Sequence, residues 1–565
     1  MGSEEKTNGS VMAMYDVRGI QKYIYSTSKL KDAMGASQLV ENIMTDALGK
    51  ACEKSGVKDA VLAWDNEKEV FTYNKEKHDV EVLYIGGGNA YVIFRDKELC
   101  KEINKYMSRY IIEHTYSLQL AVACVDVTDD YKKDYDNIFK EMNKVKSNMT
   151  DSRPLGALPV METELKTGLP VINMEKEKYK TDTYRGNISK ETYLKIEKKN
   201  KEIKEEKIDK ILDSYARRGA DSRIAVVHID GNNMSLRIKK LVEGIDKYTD
   251  AVNKMRKISH NIKYSYLDTF NNMKDKFEKT NTVNNEYGNS LVKKFVRKII
   301  VAGDDITYVC NAYIALDTVR YFCEEISKLT MDKGNNGENI QEYGFSVCAG
   351  IAYINSHFPF GIAYEVAESC CDSAKEAAKK DSNKAYYMDY KPASKEEYNK
   401  NGKGCFEKTG NFVDFQICKN IQCRDLEQVR KKEFITPAGE RLMQRPYYIP
   451  MPFEKDELNR INGAKINNIG TLMDNIRYFA SEDNIPHSFA KDIRNTYHMG
   501  SNQINLLGSF LDSRKWKMPG KLPCKDNMYV DYEGVKTAAW YDALEIMDYC
   551  MDVYIEDKEV AENEN

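Results

Sequence analysis

The stretch that most constrains this chain runs Lys298-Ile-Ile-Val-Ala-Gly-Asp-Asp-Ile-Thr-Tyr-Val-Cys310. An apolar, mostly β-branched run from Ile299 to Ala302 leads to Gly303. Two adjacent carboxylates follow, Asp304 and Asp305, and then Ile306 to Cys310 turns apolar again. That pattern is strand, tight turn, strand. Adjacent aspartates on a hairpin tip repel each other unless a cation lies between them. A purely structural hairpin more often uses Asn-Gly or Asp-Gly. Asp-Asp alone is a weak signal, since Asp129-Asp130 is another such pair in a polar segment without flanking strands. The apolar strands on both sides, and a carboxylate further upstream, give this one its meaning.

The upstream carboxylate is Asp230, in Arg223-Ile-Ala-Val-Val-His-Ile-Asp-Gly-Asn-Asn-Met-Ser235. A buried-type strand ends on the aspartate, and Gly231, Asn232 and Asn233 follow. Gly and Asn tolerate left-handed backbone angles, so a sharp turn here can aim successive N–H groups at an anion. Apolar residues from Ile245 through Phe277 then recur at spacings of three and four, which predicts a long helix. After the Asp304-Asp305 hairpin come a helix pattern from Ala315 to Leu329 and a strand from Tyr343 to Ile354. The order is β-α-β-β-α-β, the ferredoxin-like unit.

In that topology the first strand pairs centrally with the hairpin, so Asp230 is expected to converge with Asp304 and Asp305. Three such carboxylates can hold two divalent cations roughly 3.5–4 Å apart. Mg²⁺ favours one or two carboxylates together with phosphate oxygens, which suits this set. Phosphoryl transfer needs alignment and charge placed on oxygens, and little else. The chemistry implied is nucleotidyl transfer by a palm domain. His228 lies on the same side of its strand as Asp230, and a hydrogen-bonded strand histidine is the simpler reading of it than a proton acceptor.

These residues resemble the large, polymerase-like subunit of type III CRISPR effector complexes, a family with two palm domains. In that family a Gly-Gly-Asp-Asp hairpin of the second palm converts ATP into cyclic oligoadenylates. Here the motif reads Ala302-Gly303-Asp304-Asp305, with Ala in place of the first Gly. The resemblance implies Mg²⁺ or Mn²⁺ in a two-metal site on Asp230, Asp304 and Asp305. It implies phosphate approached by Gly231, Asn232, Asn233 and Gly303. It also implies a triphosphate-facing lysine on the helix after Ser356: Lys375 first, Lys379 one turn on. A second ATP, placed between the palms, would offer its 3′-hydroxyl to the α-phosphate.

The first palm is expected over residues 11–127. Val11 to Asp16 reads as a strand, and Gly19-Ile-Gln leads to a Gly35-Ala-Ser37 loop that would contribute to a second nucleotide. The matching hairpin tip is Gly86-Gly87-Gly88-Asn89. It carries no carboxylate, so the reading here is a degenerate palm. Residues 1–10 read as a disordered N-terminus, 128–222 as a connector or small helical subdomain, 223–450 as the catalytic second palm and 451–565 as a C-terminal helical domain. The helices expected in the last are Ile469–Phe479, Ser488–Tyr497, Asn502–Leu511 and Lys536–Tyr554. The fold class is therefore α+β, with two ferredoxin-like palms joined by a helical connector.

Composition adds exclusions. Net charge is −3, so no bulk basic surplus supports stand-alone, non-specific nucleic-acid binding. Thirteen cysteines, no signal peptide and no long apolar run imply a reducing cytoplasm and no membrane partner. No zinc site is expected: no Cys stands between Cys124 and Cys310, and Cys405, Cys418 and Cys423 form no Cys-x-x-Cys pair. The seven histidines are too few for the metal-dependent nuclease domain that often precedes the palms in this family, so none is expected. The expected activity is synthesis of a cyclic oligonucleotide messenger from ATP in antiviral defence. The alternatives are a CRISPR scaffold subunit binding guide or target RNA and partner subunits, and a diguanylate-cyclase-like enzyme.

Overall fold

The computed structural model describes all residues except 1–8, 26–29, 66–70, 72–77, 87, 129, 150–157, 166, 173–187, 203–222, 246, 279, 286–287, 332–343, 380–409, 451–466, 482–483, 533 and 550–565. Most of the expected disordered N-terminus, the end of the connector, Cys405 and the last residues of the C-terminal domain lie outside the described residues. The chain divides into two compact units: Met1–Ile208 with Asn233–Tyr264 and Ile299–Asp304, and Asp209–Asn232 with Ser265–Lys298 and Asp305–Asn565.

The first unit holds β1 (Val11–Arg18), α1 (Ile20–Tyr25), α2 (Leu30–Glu41), α3 (Ile43–Lys54), β2 (Ala60–Val61), β3 (Val80–Gly86), β4 (Asn89–Phe94), α4 (Lys97–Thr115), β5 (Gln119–Asp126), α5 (Tyr131–Asn148) and α6 (Lys190–Glu202). Its sheet runs β2-β3-β4-β1-β5. Both neighbours of β1 are antiparallel to it. The central strand is apolar along nearly its whole length because it is covered on both faces. Met12, Met14, Tyr91, Ile93 and Ala123 pack with Ile138 and Met142 of α5. α4 starts sharply because Asp96 accepts a hydrogen bond from the Leu99 N–H at 2.8 Å.

β6 (Arg223–Gly231) leads into α7 (Met234–Val242) and α8 (Tyr248–Phe277). α8 is the long helix expected from its periodicity, and the chain passes between the two units within it. A two-stranded ribbon follows, β7 (Thr280–Asn285) and β8 (Gly288–Lys293). Then come the hairpin strands β9 (Val296–Ala302) and β10 (Asp305–Asn311), α9 (Ala315–Ile326), β11 (Val347–Asn355), α10 (Phe360–Lys379), β12 (Asn411–Ile417), α11 (Leu426–Glu433) and β13 (Tyr447–Ile449). This sheet runs β13-β12-β11-β6-β10-β9. Its last four strands have the same spatial order as β5-β1-β4-β3, that of a ferredoxin-like unit. The fold class expected from sequence is the one observed.

Near the C-terminus lie α12 (Ile469–Ala480), α13 (His487–Tyr497), α14 (Ser501–Ser513), β14 (Tyr529–Tyr532) and β15 (Val535–Ala538). The helix expected over Lys536–Tyr554 is corrected. Val535 to Ala538 pairs antiparallel with Tyr529 to Tyr532 as a hairpin, and helix resumes only at residues 541–549 among those described. Gly534 at φ 74° makes the turn, and β-branched Val535 and Thr537 favour the extended arm. No helix among the described residues is long and apolar enough to cross a membrane.

Candidate active site

Asp230 sits at the C-terminal end of β6, which lies between β10 and β11. Side chains alternate along a strand, so His228 and Asp230 share one face. On β10, Ile306 pairs with Ile229 and Thr307 with His228. One further step of that register puts Asp305 opposite Asp230. On β11, Cys348 pairs with Asp230 and Gly350 with His228. His228, Asp230, Asp305, Thr307, Cys348 and Gly350 therefore make one patch of one sheet face.

α10 lies directly on this patch. A Cβ on Gly350 would fall 1.9 Å from the Ala367 carbonyl oxygen and 2.4 Å from the Cys371 nitrogen. Only a residue with no side chain lets the helix backbone come so close. The Cys371 thiol donates to the Cys348 carbonyl at 3.3 Å. One helical turn on, Lys375 reaches the strand next to Cys348 and donates to Asp230 Oδ2. The Asp414 carboxylate on β12, paired with Gly350 in register, holds Arg430 of α11 through two hydrogen bonds of 2.7 and 2.8 Å. Arg430 in turn donates to Ser373 of α10 at 3.3 Å. The helix carrying Lys375 is thus fastened from both sides.

Burial opposes the Lys375 charge, but the Asp230 carboxylate and neighbouring thiols outweigh it, and the lysine's pKa is raised. Burial pushes the His228 imidazole down to about 4, with Lys375 adding to the effect and Asp230 opposing it. The ring is therefore uncharged at neutral pH. Its Nδ1 lies 3.1 Å from Thr307 Oγ1 and 3.5 Å from Asp305 Oδ1. Tyr364 of α10 meets it edge-on at 5.5 Å. Burial raises the Cys348 and Cys370 thiols to about 12, so they act as small apolar residues here.

The remaining expected residues fall into place unevenly. Gly303 makes the hairpin turn at φ 67°, and Asn233 takes left-handed angles just ahead of α7. Asp304 lies in the turn. Among the described residues no three His, Cys, Asp or Glu side chains converge as a metal-holding group. Two carboxylates on one face, Asp230 and Asp305, with Lys375 on the first, replace the expected cluster of three. Asn232 is corrected as a phosphate donor. Its N–H is committed to the Ser346 carbonyl at 2.9 Å, and its side-chain amide donates to Ser346 and Gly410. Lys379 is exposed at the end of α10.

Gly35 and Ser37 are also corrected. Both belong to α2, not to a loop. A Cβ at Gly35 would lie 2.2 Å from the Lys195 carbonyl of α6, so that glycine permits helix packing. The Ser37 hydroxyl donates to the Ile299 carbonyl.

Gly350 escaped the sequence reading, although an isolated Gly inside a strand pattern marks close backbone approach. So did a counterpart in the first unit. Asp16 of β1 pairs in register with Asn89 at the start of β4, and Lys146 of α5 forms an ion pair with Asp16. Asp16, Asn89 and Lys146 occupy the same order of elements as Asp230, Asp305 and Lys375, with an amide where the second carboxylate would stand.

Residues 223–384 match the family model for the Cas10/Cmr2 second palm domain. No curated protein matches the chain. The chain is similar to solved structures of a Csm1–Csm4 cassette in complex with AMPPNP, at 12% identity, 97% coverage of this chain, 70% of that chain and a TM-score of 0.47. The same cassette in complex with cA4 gives 12%, 97%, 70% and 0.45. Csm1 in T. onnurineus gives 11%, 96%, 70% and 0.46. The segment that builds the Asp230 patch is thus the segment that matches the second-palm model.

Proposed function

We propose that the chain is a metal-dependent nucleotidyltransferase that joins ATP units into a cyclic oligonucleotide. The observation that carries this is the Asp230–Asp305 face with Lys375 delivered onto it, within the residues that match a Cas10/Cmr2 second palm.

The donor set suits Mg²⁺ or Mn²⁺. Two hard carboxylates on adjoining strands leave positions for water and phosphate oxygens, as Mg²⁺ prefers. When bound, such a cation neutralises charge on the transferring phosphate. Asp230 and Asp305 would hold it, with Asp304 beside them in the turn. Lys375 now places a positive charge on Asp230. With a triphosphate present, its ammonium turns to the phosphate oxygens and balances their charge. Gly231 and Asn233 offer backbone N–H groups. In the reaction the 3′-oxygen of one ATP bonds to the α-phosphorus of another. The bond to pyrophosphate breaks as it forms, and the hydroxyl proton leaves to solvent. The last such step closes the ring.

The test is incubation of the purified chain with Mg²⁺ and each nucleoside triphosphate, following pyrophosphate. Release from ATP that disappears in Asp305→Asn supports the reading. Silence with every triphosphate, with and without RNA, removes it. A second reading, a scaffold subunit of a CRISPR effector, is favoured by exposed apolar side chains around α14: Met499 at 64%, Leu506 at 74% and Phe510 at 43% exposure.

A further inference from the structure

His228 takes no part in the chemistry above, yet it is buried in the middle of the patch, 4% exposed. A polar ring in that position needs a partner. Its Nδ1 has two oxygens within reach, Thr307 Oγ1 at 3.1 Å and Asp305 Oδ1 at 3.5 Å. Threonine can donate or accept, so it does not decide the tautomer. An ionised carboxylate can only accept, and a nitrogen lone pair facing it would be repelled. The proton is therefore assigned to Nδ1, at hydrogen-bond distance from Thr307 Oγ1 and facing Asp305 Oδ1 at 3.5 Å.

The Asp305 side chain is 29% exposed, but its Oδ1 is shut away from solvent. The exposure therefore belongs to the rest of the side chain, and Oδ1 is the oxygen that faces the imidazole.

We propose that His228 is a positioning residue: its Nδ1–H holds Oδ1 of Asp305 and so presents Oδ2, in one orientation, to a divalent cation. The arrangement is built by register, because His228 pairs with Thr307, two residues along each strand from the Asp305–Asp230 level and so on the same face. Tyr364 on α10 packs edge-on against the ring. The proposal rests on the nucleotidyltransferase reading for its consequence in turnover, and on the Asp305 geometry alone for its consequence in cation binding.

Two amide replacements test it. In His228→Asn the amide NH₂ takes the place of Nδ1–H, and in His228→Gln it takes the place of Nε2. His228→Phe keeps the ring and removes both nitrogens. Each full-length variant is titrated with Mn²⁺ alone by calorimetry, assayed for kcat and KM with ATP, and checked by thermal melting. Loss of a hydrogen bond behind a metal ligand weakens affinity or activity by about 10- to 100-fold. That loss is expected in His228→Gln and His228→Phe, in Mn²⁺ affinity and in kcat, with KM for ATP little changed. His228→Asn is expected to stay close to wild type. Equal behaviour of the Asn and Gln variants, or wild-type Mn²⁺ affinity in His228→Phe, overturns the proposal. A wild type that binds Mn²⁺ with this order of variants but turns over no triphosphate keeps the proposal and removes the enzyme reading. A wild type that neither binds Mn²⁺ nor turns over removes both.

Discussion

Gly350→Ala is the smallest change that should separate α10 from the sheet. Gly350 has no positive φ, so the effect is steric and not a matter of backbone strain. The new methyl would meet the Ala367 carbonyl oxygen at 1.9 Å, the Cys371 nitrogen at 2.4 Å and Cys370 Cβ at 2.9 Å. An ordinary contact needs about 3.5 Å, so the helix must retreat by about 1.5 Å, the shortfall at the Ala367 oxygen. The obstacles are mostly helix backbone and cannot rotate away. Overpacking of this kind costs about 1–3 kcal/mol, and a backbone obstacle belongs near the top of that range. Replacing Gly by Ala returns about 0.5–1 kcal/mol of chain entropy, leaving about 2 kcal/mol net. For a unit of this size about 2–4 °C of melting temperature is lost per kcal/mol, hence a drop of about 4–8 °C. The same retreat draws Lys375 away from Asp230, so ATP turnover should fall well beyond what the melting shift explains. Differential scanning fluorimetry paired with the pyrophosphate assay reads both. A variant that melts within about 1 °C of wild type and keeps its KM for ATP would refute the claim that α10 is seated by the missing side chain.

Other consequences follow from the same patch and its surroundings. Lys375→Met should lower kcat/KM for ATP by about 10- to 100-fold, from the about 1.5–3 kcal/mol of a charged hydrogen bond. The variant should hardly change the melting temperature, because both partners of the ion pair are partly exposed, 21% and 30%; steady-state kinetics beside a melt would show it. Cys124 is the exposed thiol among the described cysteines, 3.7 Å from Cys100. The Cys100 thiol, and Asn104 with it, lowers its pKa to about 7 against the effect of burial. Thiolate forms as pH rises, so iodoacetamide labelling of Cys124, followed by peptide mass spectrometry, should climb through a midpoint near pH 7. A midpoint at pH 9 or above would contradict that environment.

Much of this was legible in the chain, for reasons that differ by element. The strand ending on Asp230, the Gly303-Asp304-Asp305 turn and the helix through Phe277 were readable because apolar spacing reports the period of each element directly. Register was not readable. Alternation says which residues share a face, but not that Asp305 is the one opposite Asp230 while Asp304 belongs to the turn. Family resemblance points to Lys375, and only the packing of α10 on Gly350 explains how it arrives. The β7–β8 ribbon was missed because Thr280 to Lys293 is largely polar and gives no hydropathy signal. The Asp16–Lys146 pair gives no signal in the sequence, because Lys146 is one of five lysines in α5. Its kinship with Asp230–Lys375 shows only when the strands are aligned in space. Gly35 and Ser37 looked like a phosphate loop in one dimension and proved to be helix packing and a side-chain tie in three.

Whether the Asp230–Asp305 face does chemistry on ATP is the central question. The direct measurement is mass spectrometry of the products after the full chain is incubated with ATP and Mg²⁺, beside Asp305→Asn under the same conditions and with RNA both present and absent. Pyrophosphate and a ring of AMP units are expected from the wild type, and intact ATP from the variant. Intact ATP from both proteins, with the wild type binding it no more tightly than the variant does, would contradict that expectation.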